Sequence, residues 1–297
     1  MPSDQQFCRY GMKDSVSIIS GPSSQVLAGR VARAAGYPLA AIEFSRFPDG
    51  ERYLRISDIP DHAIIIQSTP ADSDYISLLQ LLDASSASDQ IDVVIPYSGY
   101  ARQDKRFRDG EPVSARALAR AITADRVFTI NIHNENVLSY FDVPATDLNA
   151  APAVGEYIAS MELNDPMIIA PDEGAIDLVR SASEYLGVDF DYMEKTRLSG
   201  DDVLIKTKKI DVAGRDVVIL DDIISTGGTI VKTAMLLRNN GANRVFAACI
   251  HPVLARNAVL RLFAAGIEDI IATDTLDRSV SRVSVAELIA DVFRGNR

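Results

Sequence analysis

Strand-like apolar runs alternate with helix-period segments along almost the whole chain, and that alternation leaves few folds open. SVSIIS, AAIEF, AIIIQ, DVVIPY, RVFTINI, MIIAP, DFDYM, DVVIL, RVFAACI and DIIAT read as strands. Between them SSQVLAGRVARAAG, SDYISLLQLLDASS, SARALARAITA, APAVGEYIASM, GAIDLVRSASEYLG and GGTIVKTAMLLRNNG carry apolar residues at the spacing of one helix face. A helix after almost every strand is what parallel strands need for their crossovers, so the pattern predicts an α/β fold with mainly parallel sheets flanked by helices. At 297 residues the chain is long enough for two domains, each with its own core. The halves share an order of elements, with no residue-level repeat visible. The boundary falls near Asn149 to Pro152, after the irregular FDVPATDLNAAP, which gives domains at 1–150 and 151–297. The amphipathic SVAELIADVF, behind the N-cap candidate Ser284, is expected to form a C-terminal helix within 284–297 that crosses back to the first domain.

In open α/β sheets ligands gather outside the carboxyl ends of the strands. Here FPDGE follows AAIEFSR, YARQDKRFR follows DVVIPYSG, IHNEN follows VFTIN, PDEG follows MIIA and EKTR follows DFDYM. The most telling segment is VVILDDIISTGGT, Val217 to Thr229, in which a buried strand runs into Asp221 and Asp222 and then into a hydroxyl- and glycine-rich turn opening a helix. Backbone N–H groups at Gly227 and Gly228, the hydroxyls of Ser225, Thr226 and Thr229, and a helix N-terminus together favour a phosphate dianion. Carboxylates do not attract that phosphate. They suit the vicinal hydroxyls of a sugar whose far end carries it, the layout of ribose 5-phosphate.

With a net charge of −11, nucleic acid is not an expected partner. RQDKRFR, Arg102 to Arg108, is the basic exception, and a cation cluster directly after a strand suits a polyphosphate better than a nucleic-acid face, with a solvated charge-balancing loop as the alternative. No apolar run reaches the ~18 residues that span a bilayer, and MPSDQQFCRYGMKDS lacks a signal-peptide core, so no membrane association and a cytoplasmic location are expected. Cys8 and Cys249 have no metal-ligand spacing, and Cys249 within VFAACI reads as buried and inert.

The Val217–Thr229 segment resembles the ribose-phosphate loop shared by type I phosphoribosyltransferases and phosphoribosyl-pyrophosphate synthetases, and alone it does not choose between them. The wider set of clusters, from FPDGE to STGGT, resembles the synthetases, archaeal-type branch. That resemblance implies two tandem phosphoribosyltransferase-like domains, the first binding ATP and the second ribose 5-phosphate. It implies contacts to ATP from Asp49, Gly50, Glu51, Arg102 and Gln103, with Phe47 offering an aromatic face to adenine unless it is a core aromatic. It implies Mg2+ as cofactor, with His133 and Asp172 as ligands, although an N-cap or turn role also suits Asp172 before GAIDLVRSA. It implies catalysis by Lys195 and Arg197 of EKTRLSG, because phosphoryl-type transfer needs cations aimed at charge spread over equatorial oxygens. Asp221, Asp222, Ser225, Thr226, Gly227, Gly228, Thr229 and Arg197 are then the ribose 5-phosphate set.

The chain departs from the family pattern at Asn131, at Thr146 and at Ser225, where acids are usual, while Asp142 matches. These departures put the metal face and any control by nucleotide diphosphates in question. Self-association, as a dimer or larger, is expected from the resemblance. The alternatives are a phosphoribosyltransferase, which has no use for FPDGE and YARQD, and a catalytically silent synthetase-associated subunit, for which Lys195, Arg197 and STGGT are too intact. A plain nucleotide-binding protein would leave Lys195 and Arg197 without purpose.

Overall fold

The computed structural model describes residues 15–199, 202–206 and 211–294, with the backbone alone for 194–199 and 202–206. Cys8 lies outside the described residues. In chain order the elements are β1 Val16–Ser20, α1 Gln25–Ala35, β2 Ile42–Arg46, β3 Arg52–Ile56, β4 His62–Ile66, α2 Asp72–Ala84, β5 Gln90–Ile95, α3 Ser114–Ala119, β6 Arg126–Ile130 and β7 Ala145–Leu148. They continue with α4 Ala151–Ala159, β8 Met167–Ala170, α5 Ile176–Leu186, β9 Asp189–Tyr192, β10 Glu194–Ser199, β11 Asp202–Lys206, β12 Val217–Ile223, α6 Gly228–Asn239, β13 Val245–His251, α7 Ala258–Ala264, β14 Ile270–Thr273, β15 Ser281–Val283 and α8 Ala286–Arg294.

Two parallel sheets result, as the alternation requires. The first is five-stranded in the order β1-β4-β5-β6-β7, and the second six-stranded in the order β15-β14-β13-β12-β8-β9. Their strands are apolar on both faces because helices cover both. In β4, Ile64 and Ile66 enter one core while Ala63 and Ile65 enter the other. The first of these cores is continuous across the molecule: it joins Ile18, Ile66 and Phe128 of the first sheet to Ile168, Val218 and Phe246 of the second through residues of α1, α4, α5 and α8. The outer face of the second sheet, with Val217, Ile219 and Cys249, closes under α6 and α7. Burial pushes the Cys249 thiol well above its ordinary pKa, so it is inert as expected.

The C-terminal helix α8 packs on α1. Phe293 meets Phe128 edge to face at 5.6 Å, and the Tyr37 hydroxyl donates to the Phe293 carbonyl at 3.0 Å. Burying a phenyl group of this kind stabilises by about 1.5–3 kcal/mol. Ser284 does not stand alone at the helix start. Its Oγ accepts from Ala286 N at 3.3 Å and donates to the buried Asp274, which also takes Val285 N at 2.8 Å.

Several readings from sequence need correction. FDVPATDLNAAP is not irregular throughout, because its Ala145–Leu148 portion extends the first sheet as β7. SARALARAITA is helical only to Ala119. EKTR follows β9 as expected and there starts the antiparallel ribbon β10–β11. The halves also repeat at residue level. DVVI begins at Asp92 and again at Asp216, and RVF begins at Arg126 and Arg244, each copy ending in Ile-His at 132–133 and 250–251. Each Asp is fully buried and takes the guanidinium of the matching Arg at 2.6 Å, and each Arg lies over its own Phe, at 5.5 and 5.4 Å. The repeat escapes a linear reading because each word is short and the loops between them differ. Among the described residues no helix is long and apolar enough to cross a membrane.

Candidate active site

The carboxyl ends of strands from both sheets face one another. After β6 the chain turns through Asn131, at φ 38°, to His133, and the imidazole Nδ1 lies 2.6 Å from Asp222 Oδ2 at the end of β12. This contact joins the two domains. The hydrogen bond to Asp222 raises the His133 pKa, against the effect of burial. Burial alone would raise Asp222, yet His133 holds it low. Asp221 goes the other way: burial first, then the charges of Asp222 and Asp172, push it up. Asp221 thus feels both Asp222 and Asp172, while His133 is paired to Asp222. Asp172 also serves its turn, accepting from Gly174 N at 3.0 Å, so the capping reading holds beside any other.

The phosphate loop follows directly. Gly227, at φ 73°, is the N-cap of α6, a backbone state that side chains disfavour, and a Cβ there would press on Leu262 at 3.3 Å. Sequence reading missed what braces this loop. Ala255 N donates to Ser225 O at 2.9 Å, Leu254 N to Ile224 O at 2.9 Å, and Arg261 Nη1 to Thr226 O at 3.1 Å. The bracing segment holds Leu254, Arg256 and Asn257 at φ 49°, 53° and 60°. Strain at three of four neighbouring non-glycine residues is retained where the surroundings over-determine it. Leucine and arginine carry no mark of positive φ, and a lone Asn257 is too weak a signal to have found the segment.

Arg102 and Gln103 line a cavity of ≈ 390 Å³ with Tyr97, Gly99, Tyr100 and Ile223, the last from β12. The backbone comes very close there, since a Cβ on Gly99 would lie 2.1 Å from Thr69 O. Arg102 is near enough to His133 to oppose its protonation. A neighbouring cavity of ≈ 360 Å³ takes in His133, Asp222, Asn149, Asp147 and Gly174. Asp147, also missed from sequence, accepts Ile132 N with both carboxylate oxygens, at 3.0 and 3.1 Å.

Phe47, Asp49, Gly50 and Glu51 stand apart. They form the tip of the β2–β3 hairpin, closed by Gly50 N to Phe47 O and Phe47 N to Glu51 O, both 2.9 Å. Phe47 is 51% exposed, which excludes the core-aromatic alternative. With Glu51 it lines an open groove against α2 that shares no residue with the Arg102 cavity. A single chain does not unite the two expected ATP segments. Lys195 and Arg197 are on β10, and their side chains lie outside the described residues.

Two facing sheets of this topology, one ending in a ribose-phosphate loop, define a protein of paired phosphoribosyltransferase-type domains. Residues 16–125 match the family described as the N-terminal domain of ribose phosphate pyrophosphokinase, and residues 136–264 match the phosphoribosyl transferase domain. The ribose-phosphate pyrophosphokinase of Methanosarcina mazei is 56% identical over 94% of this chain and 96% of its own, and ribose-phosphate pyrophosphokinase 2 of Archaeoglobus fulgidus is 47% identical over 93% and 99%. The phosphoribosylpyrophosphate synthetase of Mycobacterium smegmatis has a similar structure, with TM-score 0.81 at 28% identity, over 95% of this chain and 98% of that one. The chain belongs to the ribose-phosphate pyrophosphokinases, close to their archaeal members.

Proposed function

We propose that the chain transfers the β,γ-diphosphoryl group of ATP to the 1-hydroxyl of ribose 5-phosphate, giving phosphoribosyl pyrophosphate and AMP. The observation that carries this reading is the His133–Asp222 contact, which sets the first domain's strand ends against the ribose-phosphate loop of the second. Ser225 to Thr229 hold the 5-phosphate, and Asp221 with Asp222 orients the 2- and 3-hydroxyls. The 1-hydroxyl oxygen then bonds to the β-phosphorus as the bond from that phosphorus to the α,β-bridging oxygen breaks. Positioning of this kind supplies about 7–11 kcal/mol in favourable cases. Lys195 and Arg197 stabilise the charge on the transferred group.

Mg2+ fits the chemistry of this face. Among the described residues no three His, Cys, Asp or Glu side chains are grouped to cage a metal. Magnesium rarely asks for that, taking one or two carboxylates, several waters and the substrate's phosphates. Burial raises Asp221 first and the charges of Asp222 and Asp172 add to it; that second part is what a divalent cation would relieve. His133 and Asp172 would hold it, and bound there it would neutralise charge on the nucleotide's phosphates.

The ATP site is completed by a second copy of the chain. The exposed hairpin tip with Phe47, Asp49 and Glu51 reaches the Arg102 and Gln103 cavity of its neighbour, which accounts for the groove that one chain leaves open.

Incubation of the purified protein with ATP, Mg2+ and ribose 5-phosphate tests the reaction. AMP is expected to accumulate in step with phosphoribosyl pyrophosphate; formation of ADP, or no turnover, overturns the reading.

A further inference from the structure

The two copies of the repeat end in histidines that act reciprocally. His133 of the first sheet reaches Asp222 of the second, and His251 of the second reaches back, its Nε2 3.2 Å from the carbonyl oxygen of Asn131. We propose that His251 is a positioning residue for the active site: its Nε2–H holds the Asn131 carbonyl, and through it the turn that presents His133 to Asp222.

The surroundings of His251 select its tautomer. A carbonyl oxygen only accepts, so Nε2 carries the proton, and Nδ1 faces the Thr275 hydroxyl at 2.9 Å, whose one proton is shared between that nitrogen and the Ile250 carbonyl, also at 2.9 Å. The ring is 2% exposed and packs on Tyr97 with centroids 5.1 Å apart. Burial pushes its pKa down to about 4, so the ring stays neutral and keeps one tautomer through the neutral range. Thr275 is itself tied across the domain interface, because the Ser68 hydroxyl donates to its carbonyl at 2.6 Å and Ser68 N donates to Ser24 Oγ at 2.8 Å.

Asn131 needs such holding. Its φ of 38° is a left-handed state that asparagine adopts more readily than other side chains but less readily than glycine. Within its own domain the Asn131 side chain accepts from Ala150 N at 2.7 Å and donates to Asn149 at 3.1 Å, while Asp147 takes Ile132 N. Those bonds shape the turn but do not relate it to the other sheet. His251 does. It pairs in register with Ile223 on the neighbouring strand β12, one residue beyond Asp222, so it fixes the His133 turn in the frame of the carboxylate that His133 must meet.

The inference rests on the reading of His133 as part of the site, and the test separates the two. Steady-state kinetics of the full-length protein with Mg-ATP and ribose 5-phosphate are compared for H251F, H251Q, T275V and H133A, each with its thermal midpoint. H251F keeps the ring but loses the donor; we expect kcat to fall by about tenfold or more, with a raised KM for ribose 5-phosphate, as for other outer-shell supports. H251Q restores an N–H and is expected to recover most of that loss. T275V, which removes the hydroxyl facing Nδ1 together with its bond to Ile250 O, is expected to fall between them in kinetics, with a modestly lowered midpoint. If H251F does not fold, T275V decides: wild-type kinetics there overturn the proposal. H251F with unchanged kinetics, or H251Q as impaired as H251F, also overturns it. H133A at full turnover removes the reading of His133 and the inference with it, whereas impaired H133A beside unimpaired H251F removes the inference alone.

Discussion

Asp221 and Asp222 are neighbours in sequence, yet their surroundings drive them in opposite directions, the first upward by burial and like charge, the second kept low by His133. One strand end thus presents two differently disposed carboxyl groups, which an identical pair in solution would not. The pair and the Ser225–Thr229 turn were legible from residue order, because glycine, hydroxyl and acid types carry their chemistry wherever they stand. Arg261 was not, since it comes from a helix far along the chain and looks like any exposed arginine. Its guanidinium donates to Thr226 O and lies 3.8 Å from where a Cβ on Gly228 would be. Arg261→Ala is therefore expected to raise KM for ribose 5-phosphate by about fivefold to tenfold, the effect of one lost hydrogen bond on a phosphate-loop support, with KM for ATP unchanged. Saturation kinetics in each substrate check this, and an equal rise in both would remove the assignment to the phosphate loop.

At the level of elements, the paired words DVVI and RVF place the same device at the amino ends of both sheets, opposite the site. Asp216 is fully buried and takes Arg244, Asn243 Nδ2 at 2.8 Å and Asn164 N at 2.7 Å. Asp216→Ala removes the acceptor of three partners whose donors water can still reach, and is expected to cost about 1–2 kcal/mol, measured by urea unfolding. A loss under about 0.5 kcal/mol would show that water takes over the role. The same residue gives a pH dependence with a definite sign. Its pKa falls from 3.8 to about 2, against the effect of burial, because Arg244, Asn164 and Asn243 bind the charged form. Its contribution is therefore complete above the unfolded value and is lost as pH drops toward 2. Acid unfolding of Asp216→Ala should accordingly lack the part of the transition that wild type shows in that window. Most strands and helices here were readable because parallel strands buried on both faces are plain apolar runs. β3, β7 and β15 were not, being short or half polar, and β10 and β11 are charged ribbon strands that no core pattern marks.

For the molecule as a whole, the resemblance assigned the FPDGE and YARQD segments to one nucleotide site, and nothing in their residue order tells that one chain keeps them in separate cavities. That separation makes a prediction only an assembly can meet. A site built in trans needs a hairpin from one copy and a catalytic strand from another. Chains carrying Asp49→Ala and Glu51→Ala are each expected to lose turnover, as are chains carrying Lys195→Ala, while both keep their fold. Co-expressed, they form mixed oligomers in which some sites combine an intact hairpin with an intact Lys195. Random pairing makes about a quarter of all sites complete, whatever the oligomer's size, so about a quarter of wild-type activity should return. A site built within one chain cannot be repaired by mixing, because every chain then carries its own defect. Purified mixed oligomers that stay as inactive as their parents would exclude the shared site and return the hairpin to some role within its own chain.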